Sequence, residues 1–287
     1  MEQAIRDEIS RFVRENPANR QEGGREPYFD ESLVGFVDAA DPLFRQYKTV
    51  IGEFHRTPQE WFAEAVGPGG GEPQTVVCWV LPVTASTRRT NRRADRWPSR
   101  AWAHTRFHGE AFNALLRRHL VDHLATLGYR TVAPQIEPSW RQLEDARVGI
   151  ASTWSERHAA YAAGLGTFSL NDALITPRGI AHRLGSVITD LPLAPSARPY
   201  EGLRTNCLYH RDGTCGDCVE RCPAEALSRE TGHDKAKCSQ YSYVDAMQAV
   251  GESYGVEITG CGLCQTGVPC ESRIPPTRTR QERAPAE

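Results

Sequence analysis

Eight of the nine cysteines in this 287-residue chain crowd between Cys207 and Cys270, so that stretch must fold around its own sulfurs. They form two sets. The first is Cys207-x7-Cys215-x2-Cys218-x3-Cys222, with Pro223 next; the second is Cys238-x22-Cys261-x2-Cys264-x5-Cys270. Disulfides would need an oxidising compartment. The N-terminal MEQAIRDEISRFVREN alternates charged and apolar residues and lacks the apolar centre and small-residue cleavage site of a secretory leader. The longest clean apolar run, Val76–Leu81, is far too short to span a bilayer. A reducing, cytoplasmic location without membrane association is therefore expected, and crowded thiols there point to metal.

Thiolates are soft ligands that suit iron–sulfur clusters, zinc and cuprous ions, and a C-x2-C turn serves zinc as readily as iron. The C-x2-C-x3-C-P run discriminates between them. It closes a bacterial ferredoxin motif, in which the cysteine before proline crosses to the other cluster. Applied here, the crossing fills two [4Fe–4S] clusters. Cys207, Cys215, Cys218 and Cys270 serve the first, and Cys222, Cys238, Cys261 and Cys264 the second. Cys78, alone inside TVVCWV, reads as a small buried hydrophobe. A zinc ribbon is the alternative, but it leaves Cys222-Pro223 and the segment CPAEAL without a reason. The intervals LYHRDGT and QTGVP are longer than in the usual run, which makes Cys207 and Cys270 the departures. Longer loops close cheaply, at about 0.6 kcal/mol per doubling. His210 and His233 lie between the cysteines, where hydrogen bonding to a ligand suits them better than ligation.

Ahead of the cysteines, the first seventy residues read as mostly helical, with 27–47 irregular and broken by proline. The loop GPGGGEP introduces a buried strand over 75–83. Residues 84–106 are polar, and within them 86–96 hold five arginines against one aspartate. Such a run is a solvated loop or an anion site at a pocket mouth. From Phe107 a helix is expected: Phe112, Leu115, Leu116, Leu120, Leu124 and Leu127 share one stripe that Gly128 ends. The strand YRTVAP then completes a β–α–β unit. A helix is expected over 151–166, with Thr153 and Glu156 as its capping box, and a strand over 184–189. The Pro-rich connector 190–202 marks a boundary. The expected fold class is an α/β body over 1–200, a small α+β ferredoxin-like dicluster domain over 201–272, and a disordered tail over 273–287.

The stretch SERHAAYAAGLGTFSLND, with LGSVITDLPL and the paired cysteine sets after it, resembles the epoxyqueuosine reductase family, and more distantly the reductive dehalogenases. The match runs from about Ser155 to Cys264. The motif E-R-x-x-A-x-x-A-G-L-G appears as Glu156, Arg157, Ala160, Ala163, Gly164, Leu165 and Gly166. The later L-G and D-x-P-L appear as Leu184, Gly185, Asp190, Pro192 and Leu193. The resemblance implies a nitroreductase-like body that binds base-off cobalamin beside the nearer cluster, with electrons passing through both clusters to cobalt and then to substrate. The chain departs from the family at four points. Ile150 holds the position of the family's proposed acid, and Ser169 with Leu170 replaces its Gly-Lys. No D-x-H-x-x-G is present for histidine ligation of cobalt. No helical-repeat domain follows the cysteines to hold a tRNA.

Arg157 and Tyr161 stand at i, i+4 and His158 and Tyr161 at i, i+3, so the three share a helix face. His158 or Tyr161 could give a proton during catalysis; a helix face satisfied by solvent is the plain alternative. Gly164, Leu165 and Gly166 would let the backbone approach a flat cofactor, to which Thr167, Ser169 and Asn171 offer donors; a helix stop explains Gly164 equally well. Trp79, Trp97, Trp102 and Trp154 wall a pocket or fill the core. The expected function is corrinoid-dependent reduction of a small organic substrate, fed by an external ferredoxin- or flavodoxin-type donor. An electron-transfer or activating protein that docks a partner, and a flavin-dependent reductase, are the alternatives. A tRNA partner is not expected, because a net charge of −2 and one Arg-rich stretch offer few phosphate contacts.

Overall fold

The computed structural model describes residues 1–21 and 26–277. Helix α1 (Glu2–Glu15) buries Ile5, Ile9 and Val13, spaced four apart on one stripe. Strand β1 (Leu33–Asp38) follows. Helix α2 (Pro42–Val50) starts at the Asp41 cap, and α3 (Pro58–Val66) at a complete capping box of Thr57 and Glu60. Strand β2 (Thr75–Pro82) is buried at every residue. Helices α4 (Ala85–Arg92) and α5 (Arg100–Thr126) lead to the two-residue strand β3 (Thr131–Val132). A hairpin of β4 (Gln142–Asp145) and β5 (Gly149–Ser152) precedes α6 (Glu156–Ala162). A second hairpin, β6 (Thr167–Phe168) with β7 (Leu174–Ile175), precedes β8 (His182–Thr189).

The main sheet has the order β1-β2-β8-β3, with every neighbouring pair antiparallel. Its central strand alternates with period two. Val77, Trp79 and Leu81 pack with Ile5, Ile9, Phe112 and Leu116 of α1 and α5. Val76, Cys78 and Val80 pack with Phe44, Trp61 and Ala160 on the opposite face. A strand apolar on both faces needs helices over both, and that is what the chain supplies. Each large side chain buried this way contributes about 1.5–3 kcal/mol.

The structure corrects several local expectations. Residues 27–47 are not irregular: they hold β1 and the start of α2. Of the Arg-rich 86–96 stretch, 86–92 lie in α4 and only 93–96 form a solvated turn; α5 begins at Arg100, with Ser99 capping Trp102. On α5, Phe112, Leu116, Leu120 and Leu124 are fully buried, whereas Leu115 and Leu127 are exposed. The β–α–β expectation gives two parallel strands that are not neighbours, since β8 runs antiparallel between β2 and β3. The helix expected over 151–166 begins only at Glu156. Its capping box is absent: the Thr153 hydroxyl is held by Arg141, and Glu156 turns inward. Residues 190–200 lack regular structure and cross back over the body, where Ser196 donates to the Phe36 carbonyl.

The cysteine-bearing segment is built from short pieces: α7 (Leu208–Asp212), α8 (Asp217–Glu220), a hairpin of β9 (Leu227–Ser228) and β10 (Gly232–His233), and α9 (Lys235–Ser239). The last runs on through wider turns to α10 (Glu252–Tyr254). This segment shares a core with the body, in which Leu170, Ile175 and Ile180 meet Cys207 and Val268. Of the expected tail, Ile274 packs on that core and Pro275 is buried; 278–287 lie outside the described residues.

Candidate active site

The eight clustered cysteines are free and line two cavities. Cys207, Cys215, Cys218 and Cys270 surround the first, walled by Leu170, Ile175, Ile180, Leu208 and Val268. Cys222, Cys238, Cys261 and Cys264 line the second, a cavity of about 170 Å³. Short elements set the sulfurs: Cys207 caps α7, Cys218 rides on α8, Cys238 on α9, and Cys264 on the single turn Leu263–Gln265. Among the described residues, no three Cys, His, Asp or Glu side chains converge closely enough to hold one ion. The sulfurs stand around spaces instead. Burial, with neighbouring thiols adding to it, pushes Cys218 and Cys261 up to about 12 and Cys264 and Cys270 well above the ordinary range. Four thiolates facing one another need cationic charge between them.

The Arg-rich stretch secures this segment. Both oxygens of the buried Glu271 receive hydrogen bonds from Arg92, at 3.1 and 2.6 Å, and Arg88 pairs with the same carboxylate at 3.4 Å. Glu271 also accepts from the Gly267 amide, and Asn91 donates to the Thr266 hydroxyl at 3.1 Å. The anion these arginines hold is the chain's own, next to Cys270. His233 lies 3.3 Å from Asp172 and lines the second cavity. Burial alone would lower it, but its bonds to Asp172 and Cys238 lift it to about 9. His210 lines neither cavity and pairs with Arg204.

A third cavity, of about 840 Å³, lies in the body, near the top of the range for ligand sites. Trp140, Trp154, Phe168, Tyr47 and Tyr161 supply much of its wall, and Ile150 also faces it. It adjoins the second cysteine cavity, sharing Arg106, Arg157, Ala173, His182, Arg183 and Gln265 with it. Asn171 lines both cysteine cavities. The three spaces therefore follow one another in order.

The charged groups of this region were not visible in the sequence. Arg117, 2% exposed at its side chain, donates to Glu110 at 2.9 Å and to Glu156 at 3.2 Å. Arg183 Nε donates to Glu110 at 2.8 Å. Burial alone would raise Glu110, yet Arg183 and Arg117 hold it down at about 2. Glu156, bound by Arg117 and by the Ser186 hydroxyl, is raised by burial. It also lines the large cavity. Two polar atoms in the shared wall are buried without a partner: Arg106 Nε and His182 Nδ1. His182 Nε2 faces the Leu174 carbonyl at 2.8 Å, so Nε2 carries the proton and Nδ1 offers a lone pair.

Arg157, His158 and Tyr161 all line the large cavity. His158 Nδ1 meets the Ser155 hydroxyl at 2.8 Å, and burial lowers the ring to about 3. It is neutral at physiological pH and has no imidazolium proton to give. None of the six residues expected to bind a cofactor lines that cavity. A side chain at Gly164 would strike the Ala197 carbonyl, and one at Gly166 the Ile175 carbonyl, so both glycines serve packing within the chain. Leu165 joins the core, and the Thr167 hydroxyl accepts from the Asn206 amide. Ser169 and Asn171 line the first cysteine cavity instead. Trp79 is core, with its indole bonded to Asn113, and Trp97 stacks on Tyr241.

Scanned against protein-family models, the chain matches none. Over 122 residues, 40% of its length, it is 31% identical to the epoxyqueuosine reductase of Cyclobacterium marinum, across 36% of that protein. Over 123 residues it is 42% identical to a tetrachloroethene reductive dehalogenase of Desulfitobacterium hafniense, across 20% of that protein. Over these stretches the chain is similar to the epoxyqueuosine reductases and the reductive dehalogenases. It spans about a third of the length of the first and a fifth of the second. A solved reductive dehalogenase, discussed for B12-dependent dehalogenation, shares the fold with a TM-score of 0.50 at 18% identity, over 88% of this chain and 31% of that one. The expectation that tRNA is no partner gains no support here, because epoxyqueuosine reductases are among these relatives. Among the described residues, no helix is long and apolar enough to cross a membrane.

Proposed function

We propose that this chain is a reductase in which the two cysteine cavities hold [4Fe–4S] clusters and the large cavity holds a corrinoid. The observation that carries the reading is the order of the three spaces. Four cysteines line the first, four line the second in the grouping that crossing at Cys222 requires, and the second adjoins the large cavity. The C-x2-C-x3-C-P run and the placing of four cysteines around each of two spaces favour clusters over zinc. The body then corresponds to the nitroreductase-like half and the cysteine segment to a ferredoxin-like half. An external low-potential donor of ferredoxin or flavodoxin type supplies electrons.

When bound, the corrinoid supplies the reductive chemistry, and the chain supplies position, shelter and protons. Trp140, Trp154, Phe168 and Ile150 give the cavity apolar walls that exclude water. The unpartnered Arg106 Nε and His182 Nδ1 offer one donor and one acceptor in the wall nearest the second cysteine cavity. Of the two candidate proton donors, Tyr161 faces the large cavity with a phenolic O–H that can donate. The substrate is an electrophilic carbon compound that accepts electrons at this cavity.

Anaerobic reconstitution with iron, sulfide and hydroxocobalamin, followed by desalting and an absorption spectrum, tests the reading. Retained cobalamin is the expected result. Retention of flavin, or of no chromophore beyond iron–sulfur, overturns the corrinoid part. Single-turnover assays with a chlorinated ethene and with an epoxyqueuosine-bearing RNA then separate the two substrate classes.

A further inference from the structure

The two cysteine cavities differ in charge. Among the described residues no charged side chain lines the first: its walls are apolar apart from Ser169, Asn171, Tyr209 and the cysteines. The second is lined by Arg106, Arg157 and Arg183, with His233, and among the described residues by no carboxylate. Guanidinium groups stay protonated at any working pH. Arg183 is partly offset by Glu110 behind it, which it shares with Arg117. Arg106 is offset less: among the described residues it has no salt bridge, its guanidinium meets the Tyr243 side chain, 5.5 Å from the ring centroid, and its Nε is buried without a partner. Arg157 makes no hydrogen bond or ion pair among the described residues and faces both the second cavity and the large one. At the first cavity Arg229, paired with Glu220, packs against Gly216, and the Cys215 thiol donates to the Asp217 carboxylate at 3.3 Å. With Cys215 as a thiolate ligand, that negative charge stands beside a negative sulfur.

We infer that Arg106, Arg157 and Arg183 make the second cavity's cluster the more easily reduced of the two, so that the chain itself fixes the direction of electron flow towards the large cavity. This rests on the proposed cluster reading. Reduction adds one negative charge to a cluster, and local charge together with hydrogen bonding sets the potential. Fixed cations lining the second site favour that added charge; at the first, Asp217 opposes it and Arg229, already paired with Glu220, offsets Asp217 only in part. One electron, delivered by a ferredoxin- or flavodoxin-type donor, leaves the first cluster and enters the second, with no bond made or broken. Half-buried Arg106 is screened less than exposed Arg157, whose effect weakens with salt.

The test is an EPR-monitored reductive titration of the anaerobically reconstituted protein. The wild type shows two one-electron steps. Arg106→Gln and Arg157→Gln each lower the upper step alone by about 59 mV, equivalent to a tenfold change for a one-electron couple. Arg106→Lys keeps the charge and leaves that step near its wild-type value. Asp217→Asn raises the lower step alone. Arg157→Gln breaks no bond within the chain, so it should fold even where Arg106→Gln does not. Two clusters whose upper step ignores both substitutions, or whose lower step moves instead, overturn this inference and leave the proposed function standing. A protein that takes up no cluster overturns both.

Discussion

Arg117 is the residue on which the body's polar interior turns. It is almost wholly enclosed, donates to Glu110, Glu156 and the Leu184 carbonyl, and neutralises part of two half-buried carboxylates. Removing one partner of such a network leaves charge buried without compensation. Arg117→Ala is therefore expected to destabilise the fold by about 3–5 kcal/mol, read as a shift of the urea midpoint at unchanged slope. Glu110 gives the pH signature. Its folded value of about 2 lies below the ordinary 4.5, so its stabilisation is complete above 4.5 and is lost as the pH falls from there towards 2. Glu156, raised by burial, acts in the opposite sense, so the comparison must isolate Glu110. The stability gap between wild type and Glu110→Gln should be constant near neutrality and close between pH 4.5 and 2. A gap that widens on acidification contradicts this account.

Among the elements, β2 and β8 form the spine, and the Leu184-Gly185 pair explains itself there. Gly185 lies opposite Trp79, and a side chain at Gly185 would come within 2.3 Å of the indole ring. Gly185→Ala is expected to cost about 1–3 kcal/mol by overpacking, measured by thermal or chemical denaturation. What the sequence disclosed depended on the physics of each element. β2 and β8 were legible as apolar runs bounded by breakers, and the α5 stripe from its four-residue spacing. β1 was not, because Val34, Phe36 and Val37 are buried on both faces and show no alternation. Glu156 was misread because the S/T-x-x-E pattern has the same letters whether the carboxylate caps a helix or turns into a core. Of the candidate site residues, Arg157, His158 and Tyr161 reach the large cavity, as their shared helix face suggested. Arg106, Glu110, Arg117 and Arg183 escaped notice because α5 and β8 bring them together from far apart in sequence. Neither helix period nor strand alternation announces a buried charge.

At the scale of the whole molecule, the C-terminal segment is not an appendage. The Cys270 carbonyl accepts from the Ile180 amide, and Glu271 is held by α4, so the last cysteine is placed by the body. Glu271→Ala should therefore speed amide hydrogen exchange over 266–271 and weaken iron retention at the first cavity, while β2 stays protected. Protection of 266–271 at wild-type levels would show that the clamp is dispensable. The central claim is the sorting of eight cysteines into two cluster sites, and the most direct test is iron and acid-labile sulfide per chain after anaerobic reconstitution. The account predicts about eight of each, unchanged in Cys78→Ser and reduced in Cys218→Ser. Iron near four per chain, or zinc bound stoichiometrically in its place, would contradict it.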